Sequence, residues 1–325
     1  MRDSSPPLDP LAVPDSRIER PLILDIKGNA LDDGPGIRSV VFFKGCPLSC
    51  VWCHNPESRR RTAELSFDAA VCIREDGCDR CVGVCPTGAV NVLDPALIDR
   101  TACTVCFACV DICPSGALRT MGTAWTVDEV LTHVLRDKPF YDASGGGVTF
   151  SGGEATLYPE FLGELAAYCR SEGIHTLLQT SGHFHWDVFQ RAVLPHLDTI
   201  YYDLKLFDSA AHRQFCGLPN ERIAQNFARL AQLSNRGEVD LLPRIPLIPE
   251  LTATHRNIGA IGDFLLAHQI RRVRLLDYNP TWVDKTAQIG GWNDHASRGT
   301  MRTWLPAGVA ADLRARLGEL GIEAL

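Results

Sequence analysis

Residues 146–182 read GGVTFSGGEATLYPEFLGELAAYCRSEGIHTLLQTSG. The run Val148, Thr149, Phe150 predicts a strand, Gly152, Gly153 and Glu154 the loop leaving it, PEFLGELAAYCRSEG a helix, and IHTLLQTSG the next strand. Downstream the alternation continues: WDVFQRAVLPHL (helix), TIYYDLK (strand), NERIAQNFARLAQLS (helix), VDLLPRIPLIP (strand), HRNIGAIGDFLLAHQ (helix) and RRVRLLDYNP (strand). Upstream, Thr126 predicts the cap of a helix through VDEVLTHVLRD, with Asp128 and Glu129 in the first turn, where the helix dipole favours acids. Earlier still, the runs PLILDI and SVVFF flank a glycine-rich turn at 33–36. Such alternation predicts an α/β fold of parallel strands with helical crossovers, a barrel or an open sheet. Chemistry in these folds gathers at the C-terminal strand ends. Those ends carry Cys46, Gly152 to Glu154, Thr180 to Gly182, Asp203 to Lys205, and Tyr278 with Asn279.

Composition sets limits on the partners. A formal net charge of −7 gives no chain-wide positive field for nucleic-acid phosphates or anionic lipids, so neither is an expected partner. The run Arg59, Arg60, Arg61 is the one dense basic patch, of a size ordinary for a solvated surface. Residues 1–19 lack the charged and apolar regions of a secretory signal, and their prolines predict an irregular tail. No apolar run approaches the roughly 20 residues that span a bilayer, so a cytoplasmic protein is expected. Thirteen cysteines then need a purpose, because reducing compartments do not favour structural disulfides. Eleven fall between Cys46 and Cys113, which points to metal; Cys169 and Cys216 read as small buried apolar residues.

The first group, C-x3-C-x2-C at Cys46, Cys50 and Cys53, offers three soft thiolates suited to a 4Fe-4S cluster. Three ligands leave one iron open to chelate a small molecule. A zinc knuckle is the competing reading, but structural zinc takes four protein ligands, and His54 beside Cys53 is a poor fourth donor.

With Trp52 as its aromatic, this motif resembles the signature of the radical S-adenosylmethionine superfamily. The resemblance extends to the glycyl radical enzyme activating enzymes through DGPGIR (33–38), CPLSCVWCHNPE (46–57), SGGGVTFSGGE (144–154), TSG (180–182), DLK (203–205) and RIPLIP (244–249). It implies a partial (β/α)6-type TIM barrel over residues 20–60 and 122–325. By the same resemblance, a reduced ferredoxin or flavodoxin supplies an electron to the cluster. S-adenosylmethionine is then cleaved to methionine and a 5′-deoxyadenosyl radical, which takes hydrogen from a backbone glycine of a partner glycyl radical enzyme. No side chain need act as acid or base. Trp52, Cys53, His54 and Asn55 are implied near the adenine; Gly152, Gly153 and Glu154 near the amino group; Asp203, Leu204, Lys205 and Arg244 near the ribose and carboxylate; Asp33 at the partner's loop. Two departures stand out. Gln179 replaces an acid that many members use beside a monovalent cation, putting that cation site in doubt, and Asn279 stands where histidine is common, leaving a cofactor contact that does not titrate.

Residues 61–121 change character. Cys103, Cys106, Cys109 and Cys113 fit the bacterial ferredoxin run C-x2-C-x2-C-x3-C-P, and Cys72, Cys78, Cys81 and Cys85 form a second set with a longer first gap. The segments VCPTGAV (84–90) and ICPSGAL (112–118) repeat. The ferredoxin arrangement implies two further 4Fe-4S clusters, three in all, with crossed fourth ligands: Cys72, Cys78 and Cys81 with Cys113, and Cys103, Cys106 and Cys109 with Cys85. Four-cysteine zinc sites are the alternative. A module of about 60 residues is small for its own core, so bound metal would add folding energy. Its expected role is electron relay, with a structural role open. Two other functions compete: a radical enzyme acting on a small molecule or peptide, and a multi-cluster electron carrier without chemistry of its own.

Overall fold

The two apolar runs around the glycine turn form β1 (Leu22–Ala30) and β2 (Arg38–Phe43), paired antiparallel with Ile23 opposite Phe43 and Ala30 opposite Arg38. In the turn, a Cβ on Gly36 would stand 2.5 Å from the backbone nitrogen of Gly146, and the residue's φ of +67° is one that side chains avoid. The computed structural model describes residues 20–291 and 294–325, so the tail expected at 1–19 lies outside the described residues.

Further along come β3 (Glu64–Phe67), β4 (Leu118–Met121), β5 (Thr123–Ala124), β6 (Gly147–Gly152), β7 (His175–Thr180), β8 (Thr199–Asp203), β9 (Asp240–Pro246), β10 (Arg272–Leu276) and β11 (Glu323–Ala324). Nine strands make one sheet in the order β11-β10-β9-β8-β7-β6-β2-β1-β5. From β10 to β2 six successive strands run parallel, so the fold is mixed α/β around a parallel sheet. The β1 hairpin adds an antiparallel edge.

The predicted helices form where their end signals stand. Thr126 caps Val127–Leu135 in a capping box with Glu129, and Pro159 opens Pro159–Ser171. The helix expected over 186–197 is shorter. It ends at Ala192, and Leu194–His196 is a 3-10 turn, because Pro195 has no N–H to continue the ladder. Helices Lys138–Ser144, Ser209–Cys216, Trp282–Gln288 and Ala307–Glu319 lie outside the stretches expected to be helical.

Alternation along the strands separates two faces. Val148, Phe150, Leu178, Ile200, Ile245 and Val273 join Phe161, Leu162, Leu165, Phe227 and Leu265 in the main core beneath the helices. Each fully buried Leu, Ile or Phe there contributes about 1.5–3 kcal/mol. The other face carries Thr149, Ser151, Gln179, Asp203 and Arg244 at the alternate positions, around a small buried apolar cluster of Leu177, Tyr201 and Leu242.

Between β2 and β5 the chain makes a smaller unit. Strands β3 and β4 pair antiparallel, Glu64 opposite Met121 and Phe67 opposite Leu118, over a minor core of Leu65, Phe67, Leu97, Ile98 and Leu118. An ion pair fastens it to the sheet: Lys44 at the end of β2, its side chain fully buried, meets Glu64 at 2.6 Å. Arg100 reaches the other way, donating to Leu65 O within the unit and to Gln288 O at 3.0 Å outside it.

Candidate metal centre

The loop leaving β2 carries Cys46, Cys50 and Cys53, and it is clamped from three directions. Glu154 N–H donates to Gly45 O at 2.8 Å from the exit of β6. Gly45 and Cys46 N–H donate to Ser58 O (2.6 Å) and Arg59 O (3.0 Å), closing the loop on itself. Ser49 and Val51 N–H donate to Cys216 O (2.8 Å) and Phe215 O (3.0 Å) at the end of the helix Ser209–Cys216. Gly153 permits the closest of these approaches: a Cβ there would stand 2.1 Å from Gly45 O. Gly153, directly after β6, is therefore a packing requirement for the cysteine loop, while Gly152 at the strand's end fits against the backbone of Phe43 in β2.

The donor chemistry suits a bound cationic cluster. Burial first, then the neighbouring Cys50 and Cys53 thiols, push the Cys46 thiol well above its ordinary value; burial and Cys50 push Cys53 up to about 12. Cys50 is instead pulled below its ordinary value, first by a hydrogen bond with the Cys216 thiol. Buried thiols that resist ionisation alone ionise when iron supplies positive charge. Among the described residues no three Cys, His, Asp or Glu side chains form a site for a single ion, and thiols that serve separate irons need not meet at one point.

The rim residues are brought together around this loop, several of them already bound to one another. Glu154 is fully buried, and its carboxylate accepts from Thr156 Oγ1 (2.7 Å), Thr180 Oγ1 (2.8 Å), Ser181 N (2.8 Å) and Ser181 Oγ (2.6 Å). Its acceptor capacity is thus filled inside the protein. Asp203 meets Arg244 at 2.7 Å and Lys205 at 3.3 Å. Burial opposes both charges, yet the Arg244 guanidinium and then Lys205 hold the Asp203 pKa down, and Asp203 in turn raises that of Lys205. One anion between two cations leaves a net positive charge for an incoming carboxylate. Leu204 is buried beside them, its N–H on Arg244 O at 2.8 Å. Gly152 holds a φ of +104° at the end of β6.

Trp52 lies in a core with Leu206, Ile248, Tyr278 and Trp282. His54 Nε2 pairs with Asn279 O at 2.8 Å, while Asn279 Oδ1 accepts from Thr281 N at 3.0 Å. Lys285 donates to His54 O and Asn55 Oδ1, each at 3.2 Å. Gln179 Nε2 donates to Asp33 Oδ1 at 3.1 Å. Lys285 and Cys216 were missed as site residues in the sequence. Lys285 sits in a helix with no motif, and Cys216 reads as an ordinary buried thiol until the fold sets it against Cys50.

In the smaller unit, Cys72, Cys78 and Cys81 line one cleft together with Cys113. Cys109 is pushed up to about 11 by burial, then by Cys103 and Cys106 nearby. The repeated segments repeat in geometry. Each follows a four-residue helical turn, Arg80–Gly83 or Ala108–Asp111. Gly88 and Gly116 have φ of +66° and +67°, and Cys85 and Cys113 sulfurs lie 3.7 and 3.8 Å from Thr87 and Ser115 hydroxyls.

Residues 32–77 match the family described as a 4Fe-4S single cluster domain. The chain is 42% identical over 247 residues to the isethionate sulfite-lyase activating enzyme of Nitratidesulfovibrio vulgaris, covering 74% of this chain and 78% of that protein. The chain belongs to the glycyl radical enzyme activating enzymes. The choline trimethylamine-lyase activating enzyme of Oleidesulfovibrio alaskensis is 36% identical over 83% of this chain and 87% of its own. The 4-hydroxyphenylacetate decarboxylase activating enzyme of Clostridioides difficile is 34% identical over 86% and 88%. Among solved structures, a domain of a pyruvate-formate lyase-activating enzyme from Bacteroides vulgatus is similar at a TM-score of 0.44 and 28% identity, covering 56% of this chain and 98% of that one. As an activating enzyme the chain is a radical S-adenosylmethionine enzyme that uses a 4Fe-4S cluster and acts on a glycyl radical enzyme.

Proposed function

We propose that Cys46, Cys50 and Cys53 hold the 4Fe-4S cluster of this activating enzyme, and that the rim around them binds S-adenosylmethionine. The observation that carries this is the clamped three-thiol loop standing beside Asp203, Lys205 and Arg244. When bound, the cluster and S-adenosylmethionine supply the carbon-centred radical that takes hydrogen from a glycine α-carbon. Lys205 and Arg244 offer N–H donors to the cofactor carboxylate, with Asp203 fixing both. Gly152 and Gly153 admit the methionine amino group close to backbone. Glu154 acts through the backbone it holds, since its carboxylate is engaged within the protein. His54, Asn55 and Asn279 border the adenine, with Trp52 packed behind them and Leu204 lining the ribose side.

The six-strand parallel array supports a partial (β/α)6 barrel made by residues 20–60 and 122–325. Residues 61–121 form a ferredoxin-like insertion with two more clusters. The cleft shared by Cys72, Cys78, Cys81 and Cys113 supports the crossed ligand set, and by the repeat Cys85 completes the set of Cys103, Cys106 and Cys109. With clusters bound, the insertion would pass electrons from a reduced ferredoxin or flavodoxin toward the cluster on Cys46, Cys50 and Cys53. All thirteen cysteines are unpaired, which supports a cytoplasmic location. Among the described residues no helix is long and apolar enough to cross a membrane.

The named relatives serve partners of different reactions, so we take as partner the glycyl radical enzyme encoded beside this chain's gene. Its loop enters at Asp33. The reduced, reconstituted protein mixed with S-adenosylmethionine and that partner is expected to give a glycine-centred doublet in electron paramagnetic resonance. Production of 5′-deoxyadenosine without the doublet sinks the activation of this partner; dependence on a small metabolite instead marks a small-molecule enzyme.

A further inference from the structure

Gln179 stands on β7 with its amide held at both ends: Ser151 Oγ donates to Oε1 at 2.8 Å, and Nε2 donates to Asp33 Oδ1 at 3.1 Å. The strand end beneath it is fixed, because the next two residues, Thr180 and Ser181, are bound by Glu154. Asp33 is pinned separately at its backbone. Its carbonyl accepts from Thr149 Oγ1 at 2.9 Å, and the buried Arg38 donates to Pro35 O at 3.1 Å. What is left free is the rotation of the Asp33 side chain, and among the described residues Gln179 is its one hydrogen-bond partner. That bond occupies Oδ1 and leaves Oδ2, on a half-buried side chain, without a described donor.

We infer that Gln179 is a positioning residue that locks Asp33 so that Oδ2 accepts a backbone N–H from the partner's glycine loop; this rests on Asp33 being the loop contact proposed above. An amide suits the place for a simple reason: it accepts from Ser151 while donating toward Asp33. A carboxylate at 179 sets two like charges about 3 Å apart, and an apolar side chain frees the rotor.

The test measures KM for the partner encoded beside the gene and KM for S-adenosylmethionine, with iron content and circular dichroism confirming that each variant is loaded and folded. Gln179→Leu is expected to raise the partner KM about tenfold, the effect of losing one hydrogen bond to a charged group. Its S-adenosylmethionine KM stays within about twofold. In Asp33→Asn the amide oxygen takes the bond from Gln179 and turns an N–H toward the loop, so the partner KM also rises. The double variant Asp33→Asn with Gln179→Glu reverses donor and acceptor and turns the amide oxygen outward, so it is expected to recover at least about threefold over Asp33→Asn alone. A merely structural role predicts additive losses instead. A raised partner KM in Asp33→Asn with none in Gln179→Leu overturns the positioning role, as does additivity in the double variant. An unchanged partner KM in Asp33→Asn overturns the loop contact itself.

Discussion

Gly153→Ala isolates the clamp on the cysteine loop from every other feature of the site. The new Cβ stands 2.1 Å from Gly45 O and 2.8 Å from Ser58 O, both backbone atoms, where ordinary contact begins at 3.4 Å. The φ of Gly153 lies outside the left-handed range, so the cost is steric alone. Relief requires the loop to retreat by about 1.3 Å, which stretches the 2.8 Å bond from Glu154 N–H to Gly45 O beyond bonding range. The bonds from Gly45 and Cys46 N–H to Ser58 and Arg59 share the strain. Losing two or three buried backbone bonds at about 1 kcal/mol each gives a destabilisation of about 2–3 kcal/mol, in the usual range for overpacking. A displacement of about 1 Å at reacting groups costs about 100-fold in rate. Expected, then, are a urea midpoint lowered by that free energy, reduced iron incorporation, and 5′-deoxyadenosine formation down about 100-fold. Gly318→Ala is the control: it lies in the helix Ala307–Glu319 with no heavy atom within 4 Å, and it gains up to about 1 kcal/mol from helix propensity. Wild-type iron content and cleavage in Gly153→Ala refute the clamp.

Cys50→Ala should abolish S-adenosylmethionine cleavage while iron analysis still finds the clusters of the smaller unit; loss of all iron contradicts separate sites. Glu64→Gln leaves the Lys44 ammonium, whose side chain is fully buried, without its counter-charge. A loss of about 3 kcal/mol is expected by urea unfolding, and a loss below about 0.5 kcal/mol removes the ion pair from the fold's support. Burial, then Arg222, holds the His183 pKa down at about 4. The unfolded chain therefore takes up this proton first as pH falls, so the stability this neutral histidine confers is complete above about pH 6.5 and is lost toward pH 4, by about 2 kcal/mol between pH 7 and 5. His183→Gln should flatten the stability profile over that interval, and an unaltered slope excludes His183 as its source.

The sequence revealed features set by local chemistry. Pro159, the Thr126–Glu129 box and the apolar runs specify their elements through near neighbours, so strands β6 to β10 stand where alternation put them. The cysteine groups stand out in the sequence for the same reason, since spacing is a local property, and the proposal that they hold clusters rests on it. Links across strands were not. Glu154 is a saturated buried acceptor because the end of β7 arrives beside it, and nothing in SGGE announces Thr180 and Ser181 as its donors. The antiparallel β1 edge was equally hidden, because strand direction depends on pairing partners. The helix Trp282–Gln288 escaped notice because long-range contacts hold it: Tyr278 OH bonds Met301 O at 2.7 Å and receives the indole N–H of Trp282 at 2.6 Å.

That helix changes how the smaller unit should be understood. Through Lys285 it holds His54 O and Asn55 Oδ1 in the cysteine loop, and through Gln288 O it takes the Arg100 guanidinium of the smaller unit. Lys44, two residues before Cys46, is neutralised by Glu64 at the start of β3. The unit thus braces the loop from both flanks. Removing residues 61–121 would take away Glu64 and Arg100 together, so inactivity of such a truncation says nothing about electron relay. Replacing Cys78 and Cys106 with serine leaves the Lys44–Glu64 pair and the Arg100–Gln288 bond in place. Activity that falls with flavodoxin as reductant but survives with a small chemical reductant then belongs to relay, and activity lost with both belongs to bracing.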